Sequence, residues 1–363
     1  MPISINTDFP GGRLGTIEEQ APGRLTVRLY REASAVGPNT QATWFHARFD
    51  GLAEPLTLVL TGLNDVYEGR PAHSINQDDK PVISRDGRTW ERLTSTSFDA
   101  ERGELTVPLP AADGPLYLAM LEPYGPAELA ELAELVPAER RSVAGLTAEG
   151  RPIPLWILGN PDATRSVWVM ARQHAWESHT SWCADGLVRW LLADPPHDLC
   201  VVVLPMVDPD GVVRGGTRVN RHGYDVNRHW DATDPADPDH RRLRPEICAV
   251  KQALANFGRP VDLCLNLHDT QRDVMGAPRP LTELPAMAAL HQRLVDAGYT
   301  GALRPDSTPG TVQNGLYAEQ GLVGALIELG TAMQPGWDHL PTAADRQAFG
   351  VALGEALVEV WGG

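Results

Sequence analysis

His174 and Glu177 stand three residues apart in the stretch HAWE, and His268 follows the apolar run VDLCLNL much later in the chain. A His-x-x-Glu pair on one turn points both side chains the same way, and zinc accepts imidazole nitrogen and carboxylate oxygen. Alone the pair is a weak signal, because with 11 histidines in the chain a chance HxxE is unremarkable. The three residues together form the usual catalytic zinc set of two histidines and one carboxylate, which leaves a position open for water. Asp269 and Asp185 are both candidate acceptors for the far ring nitrogen of a ligand imidazole.

Glu328 closes another apolar run, LVGALIEL. Two readings stand for it: a carboxylate kept there for function, since burying one is costly, or a side chain that emerges into solvent at a strand end. Between these features lies MVDPDGVVRGGTRVNRHGYDVNRHW, with Arg214, Arg218, Arg221 and Arg228. Forked guanidinium groups suit a carboxylate ligand or a developing oxyanion. A solvated loop whose arginines pair with Asp208, Asp210, Asp225 and Asp231 is the alternative.

The elements that must position these residues fall into two groups. Up to residue 124 the chain reads as all-β, with short runs at 25–30, 43–49, 56–60, 90–94, 104–109 and 116–121 separated by Gly, Pro, Asn and Asp, the pattern of a small sandwich. From residue 125 strands alternate with helices. Strands are expected at 153–158, 166–171, 199–204, 261–267 and 322–329, and helices at 181–192, 245–257, 285–297 and 343–360. This predicts an α/β domain with a mixed central sheet flanked by helices, in which ligand groups gather at the carboxyl ends of strands. Residues 1–124 and 125–363 are the expected domains.

Of the 363 residues 42% are hydrophobic and 21% charged, as in an ordinary globular protein. No secretory signal opens the chain and no apolar run is long enough for a membrane span, so a cytoplasmic protein is expected. The formal net charge of −16 argues against nucleic acid or an anionic membrane as partner. Cys183, Cys200, Cys248 and Cys264 sit in apolar patterns without a CxxC pair and read as buried free thiols.

HAWESHTSW resembles the HxxE metal motif of the M14 zinc carboxypeptidases. DPDGV followed by TRVNRHGYDVNRHW resembles that family's segment with an arginine and D-x-N-R, NLHD its strand-end histidine, and LIEL the strand carrying its glutamate. All four occur in the family's order over roughly residues 140–360. The β-domain and the opening ISINTDFPGGRLG are similar to the cytosolic carboxypeptidase subfamily and its bacterial relatives.

The resemblance implies one zinc per chain held by His174, Glu177 and His268. It implies Glu328 as the general base, Arg218 polarising the scissile carbonyl, and Asn227 with Arg228 gripping the carboxylate of the C-terminal residue. An acidic, glutamate-type C-terminal residue is expected, with Arg272, Arg279 and Arg304 as candidate partners. The chain departs from the family in having Asp208 before Pro-Asp-Gly. It also lacks a substrate-contacting tyrosine some twenty residues before Glu328, since Tyr299 and Tyr317 fall at other spacings. The alternative is a zinc amidohydrolase acting on a small N-acyl amino acid or other non-peptide amide. The expected ligand is a peptide or small amide with a free carboxylate; the sequence fixes no oligomeric state.

Overall fold

The computed structural model describes residues 3–37 and 39–362. It divides into two compact units, Met1–Gly125 with Gly211–Tyr224, and Pro126–Asp210 with Asp225–Gly363. A single cut after residue 124 was expected; instead the segment Gly211–Tyr224 groups with the first unit. Backbone pairing explains this: Gly11 N–H donates to the Val213 carbonyl at 2.9 Å and Ala35 N–H to the Gly223 carbonyl at 2.7 Å. Local sequence periodicity carries no trace of such distant partners.

In the first unit Ser4–Asn6, His46–Asp50, Leu116–Ala119, Val82–Ser84 and Trp90–Arg92 form one five-stranded sheet in that order. Ser97–Asp99, Glu104–Leu109, Leu56–Thr61, Arg24–Leu29 and Gly15–Ala21 form a second. Alternate residues such as Leu25, Val27 and Leu29, or Leu105, Val107 and Leu109, are buried, the period-two signature of a strand with one core face.

The second unit holds an eight-stranded mixed sheet. Its strands in chain order are β1 (Arg141–Leu146), β2 (Pro152–Gly159), β3 (Arg165–Met170), β4 (Leu199–Leu204), β5 (Leu263–Thr270), β6 (Val274–Ala277), β7 (Ala302–Pro305) and β8 (Gly324–Gly330). Their spatial order is β1-β2-β4-β3-β5-β8-β6-β7. The central strands β4, β3, β5 and β8 run parallel. The run LCVVVL of β4 is buried on both faces, as a central parallel strand requires. Val167, Val169 and Ala171 face helices Ser178–Ala193, Pro285–Asp296 and Ala343–Trp361, while Trp168 and Met170 face Pro245–Asn256 and Val312–Gln320. Two of these helices touch through glycine: a Cβ on Gly186 would lie 2.0 Å from the Gln347 carbonyl oxygen, and one on Gly350 2.0 Å from that of Cys183.

The four cysteines are buried and free, and burial pushes the Cys183 and Cys264 thiols up to about 12. Among the described residues no helix is long and apolar enough to cross a membrane. The chain leaves β3 for β4 on one side and later returns to β5 on the other. That reversal opens a crevice at the carboxyl ends of β3 and β5, the place where open α/β sheets bind ligands.

Candidate metal centre and active site

β3 hands the chain to a short turn that delivers His174 and Glu177. Arg172, buried at 1% exposure, adopts a left-handed φ of 59°, which costs a non-glycine residue roughly 1–2 kcal/mol. Its own bonds hold it there: Nε donates to the Ala175 carbonyl at 2.8 Å and the backbone N–H to Thr180 Oγ1 at 3.0 Å. Glu177 then sits at the N-cap of helix Ser178–Ala193. His268 comes from β5, which runs on past it to Thr270, so this histidine lies within the strand rather than after it.

His174, Glu177 and His268 are each 2% exposed, and one ligand atom from each lies within 4.8 Å of the others. His174 Nδ1 is 2.7 Å from Glu177 Oε1, His268 Nδ1 is 2.8 Å from Glu177 Oε2, and the two Nδ1 atoms are 3.2 Å apart. Burial works to raise the Glu177 carboxyl, but the two imidazoles outweigh it and hold the group at about 2. Two ring nitrogens converging on one ionised carboxylate suit a single divalent cation, and this nitrogen and oxygen donor set fits zinc.

The far ring nitrogens have partners too. His174 Nε2 lies 3.0 Å from Asp225 Oδ1. His268 Nε2 lies 3.2 Å from Gln173 Oε1, whose orientation is fixed because Gln173 Nε2 donates to the Val226 carbonyl at 3.1 Å. Asn227 Nδ2 approaches the same nitrogen at 3.0 Å, while Asn227 Oδ1 accepts from Val312 N–H at 2.9 Å. With a cation held by the trio through Nδ1, the ring proton would lie on Nε2, where Gln173 Oε1 would accept it. Asn227 Nδ2 then has no acceptor at that ring.

The two acceptors named from the sequence are engaged elsewhere. Asp269 points to the opposite face of β5, where Oδ2 accepts from His179 N–H at 3.0 Å; Asp185 binds Arg189 Nε at 2.6 Å and Gln347 Nε2 at 2.8 Å. Strand alternation makes this inevitable for Asp269, which follows His268 directly. Burial, with Glu177 nearby, raises the Asp269 carboxyl well above its ordinary range.

Glu328 is positioned by strand register. In the parallel pair β5/β8 it is the Cα partner of His268, and in the antiparallel pair β6/β8 that of Val274. Paired residues on neighbouring strands point to the same face, so Glu328 stands beside the histidine. It is half-buried and helps line a cavity of about 600 Å³ with Arg272, Arg304, Asp306 and Leu326. Arg279 is not in that lining. Asp306 is committed locally, accepting from Thr308 N–H at 3.0 Å, Thr308 Oγ1 at 2.7 Å and Asn314 Nδ2 at 3.2 Å. Among the described residues neither Arg272 nor Arg304 makes an ion pair, so they are the cavity's available cations.

Tyr299 is buried at 3% exposure and its hydroxyl donates to the carbonyl of Glu328 at 2.9 Å, a core role behind the strand. Tyr317 packs partly buried against the same core. Arg228 Nη1 donates to the Asn227 carbonyl at 3.0 Å. Arg218 falls in the first unit. There Glu32 Oε2 accepts from the backbone N–H of Arg218 and Val219 at 2.6 and 3.1 Å, and the Arg218 guanidinium lies 5.3 Å from the centre of the Tyr67 ring. Sequence reasoning missed Asp225 and Gln173 as partners of the imidazoles; the only signal was that Gln173 adjoins His174 and Asp225 opens D-x-N-R.

A two-histidine, one-glutamate centre at the reversal point of an α/β sheet defines a metallohydrolase-type site. Residues 127–292 match the zinc carboxypeptidase family, and residues 5–120 match the cytosolic carboxypeptidase N-terminal domain. The chain thus carries a zinc carboxypeptidase domain, preceded by a domain matching the cytosolic carboxypeptidase N-terminal domain. A protein of Zymomonas mobilis is 25% identical, aligned over 74% of this chain and 68% of its own length. Human cytosolic carboxypeptidase 6 is 30% identical over 32% of this chain, and the match spans only 24% of that longer protein. Among solved structures, a metallo-carboxypeptidase from Burkholderia cenocepacia superposes with a TM-score of 0.82 at 22% identity, covering 99% of this chain and 98% of that one. A Pseudomonas aeruginosa metallo-carboxypeptidase, solved in complex with (2-guanidinoethylmercapto)succinic acid, gives 0.78 at 24% identity, covering 98% of each chain. At such identities the likeness is one of fold.

Proposed function

We propose that this chain is a zinc-dependent carboxypeptidase that hydrolyses a C-terminal amino acid from peptides, with acidic residues preferred. What supports the reading above all is the register of β5 and β8, which sets Glu328 beside His268, itself within reach of His174 and Glu177. His174, Glu177 and His268 hold the ion. Bound there, zinc supplies a Lewis acid that lowers the pKa of water toward neutrality. Glu328 takes the proton from the attacking water and returns it to the leaving amine. Arg228 and the amide of Asn227, released from His268 when Nε2 carries a proton, bind the terminal carboxylate. For Arg218 the family resemblance alone supports a role on the developing oxyanion.

Arg272 and Arg304 support the acidic preference, because the carboxylate of Asp306 is already spent on its own loop. A cytoplasmic location is the reading that the amino-terminal match supports. One observation favours a second substrate class, a small N-acyl amino acid: the Tyr299 hydroxyl is taken by the Glu328 carbonyl and no tyrosine occupies residues 300–316.

The test is zinc-dependent hydrolysis over peptides differing only in the last residue, with N-acyl amino acids alongside. The expected result is fastest turnover of C-terminal glutamate peptides and a roughly thousandfold loss in Glu328→Gln with zinc content unchanged. Full activity in that variant would remove Glu328 from the chemistry. Turnover confined to N-acyl amino acids would transfer the site to the second class.

A further inference from the structure

A second cavity, of about 510 Å³, opens in the α/β unit beside the edge strand β1 and shares no lining residue with the metal centre or the Glu328 cavity. Val143, Leu155, Ile157, Trp168 and Phe257 give it apolar walls. The Trp168 and Phe257 rings meet edge to face, with centroids 5.2 Å apart. This is the size and character of a small-molecule site, which is mostly apolar with a few polar groups that fix orientation.

One polar group in this lining has no hydrogen-bond partner among the described residues, and a second has no counter-charge. Trp168 is fully buried, and no atom among the described residues accepts from its Nε1–H. A buried indole N–H without an acceptor is costly, and Trp in folded proteins ordinarily finds one. The second is Arg259. Its Nη1 donates to the carbonyls of Pro161 and Ala163 at 2.6 and 2.9 Å, and its guanidinium stacks 4.8 Å from the centre of the Phe257 ring. No carboxylate of the described residues pairs with it. None of the residues lining the cavity is acidic, in a chain whose net charge is −16. The rim amides Gln252 and Asn256 bond to each other at 3.1 Å and add no charge.

We propose that this cavity is a binding site for a small organic anion with an apolar body, an aryl or branched acyl carboxylate, separate from the catalytic centre. The apolar body packs on Ile157 and Phe257, the indole N–H donates to a ligand oxygen, and Arg259 supplies the opposite charge. The site stands independently of the proposed peptidase activity.

The test is calorimetric titration of the zinc-loaded full chain with 3-phenylpropionate, and with 3-phenylpropan-1-ol as its uncharged counterpart. Three variants are titrated beside the wild type: Arg259→Gln, Trp168→Phe, and Ala253→Phe, which fills the cavity from its wall. Expected is binding of the carboxylate by the wild type, about tenfold weaker in Arg259→Gln and about fivefold weaker in Trp168→Phe. Ala253→Phe abolishes it, the alcohol binds about tenfold more weakly, and peptide hydrolysis by Arg259→Gln and Ala253→Phe stays within about twofold of wild type. Should Trp168→Phe disturb the core, the other two variants carry the comparison, since their side chains lie at the wall and rim. Equal affinity in wild type, Arg259→Gln and Ala253→Phe would mean that the probe sits in the catalytic cavity, and would overturn the proposal. So would the absence of binding by the wild type up to about 10 mM.

Discussion

Each unit of the molecule buries histidine, and the two settings differ in everything but burial. In the β-domain His46 is 8% exposed among Phe9, Trp44, Trp90 and Tyr117, with ring centroids 4.8–6.4 Å away, and among the described residues neither ring nitrogen has a hydrogen-bond partner. Burial alone drives it down to about 4, so it is a neutral aromatic at physiological pH. In the α/β unit His174 and His268 are buried as deeply, but a carboxylate faces both Nδ1 atoms, and Asp225 and Gln173 address the far nitrogens. Burial alone thus makes a histidine inert, whereas polar company on both ring nitrogens suits it to hold a metal.

The sharpest break of that contrast is to remove the carboxylate. Glu177→Ala should leave two imidazoles without a counter-charge, abolish stoichiometric zinc measured by elemental analysis, and take hydrolysis to background. Retained zinc would separate the centre from this trio. Next, Asp225→Asn should weaken zinc binding in a chelator competition by about 10- to 100-fold, the usual worth of an outer partner to a ligand imidazole.

For His46 the contrast predicts a pH effect. Its folded pKa lies below the unfolded value of 6.5, so the unfolded chain takes up the proton first. Stability is full above about pH 6.5 and falls as pH drops toward 4, by about 2 kcal/mol between pH 7 and 5. Denaturant titrations at those two pH values should show this slope in the wild type and lose it in His46→Phe; an unchanged slope would assign it to other groups. The smallest effect belongs to Tyr299→Phe, which deletes one hydrogen bond to the Glu328 carbonyl and should cost about 1 kcal/mol of stability. A loss of catalysis beyond about tenfold in that variant would bring Tyr299 into the chemistry after all.

Both domain types were legible from strand and helix periodicity, and His174, Glu177 and His268, which the fold brings together as a candidate metal centre, were legible because they lie on or just after apolar strands. β4 falls at the residues expected, 199–204. The four-residue strands Val274–Ala277 and Ala302–Pro305 offer too few alternations to detect, and helix Val312–Gln320 has Asn and Gly in its middle, both poor helix formers. Gln173 and Asp225 were not legible as partners of His268 and His174 because their role exists only where separate segments meet. The Arg272 and Arg304 cavity was half legible: the residues could be named, but only the β6/β7 edge brings them beside Glu328 and leaves Arg279 out.

The pairing of His268 with Glu328 across β5 and β8 also sets where this protein tolerates change in length. The two strands are joined by residues 271–323, yet their side chains meet only through sheet register. One residue inserted inside β8 would turn Glu328 to the opposite face and bring Ile327 or Leu329 to its place, leaving the fold recognisable and the chemistry gone. The same insertion at a loop tip among residues 271–323 is absorbed where it enters. For an engineer redesigning substrate choice, loops are therefore the part to lengthen and β8 the part to leave at its native count.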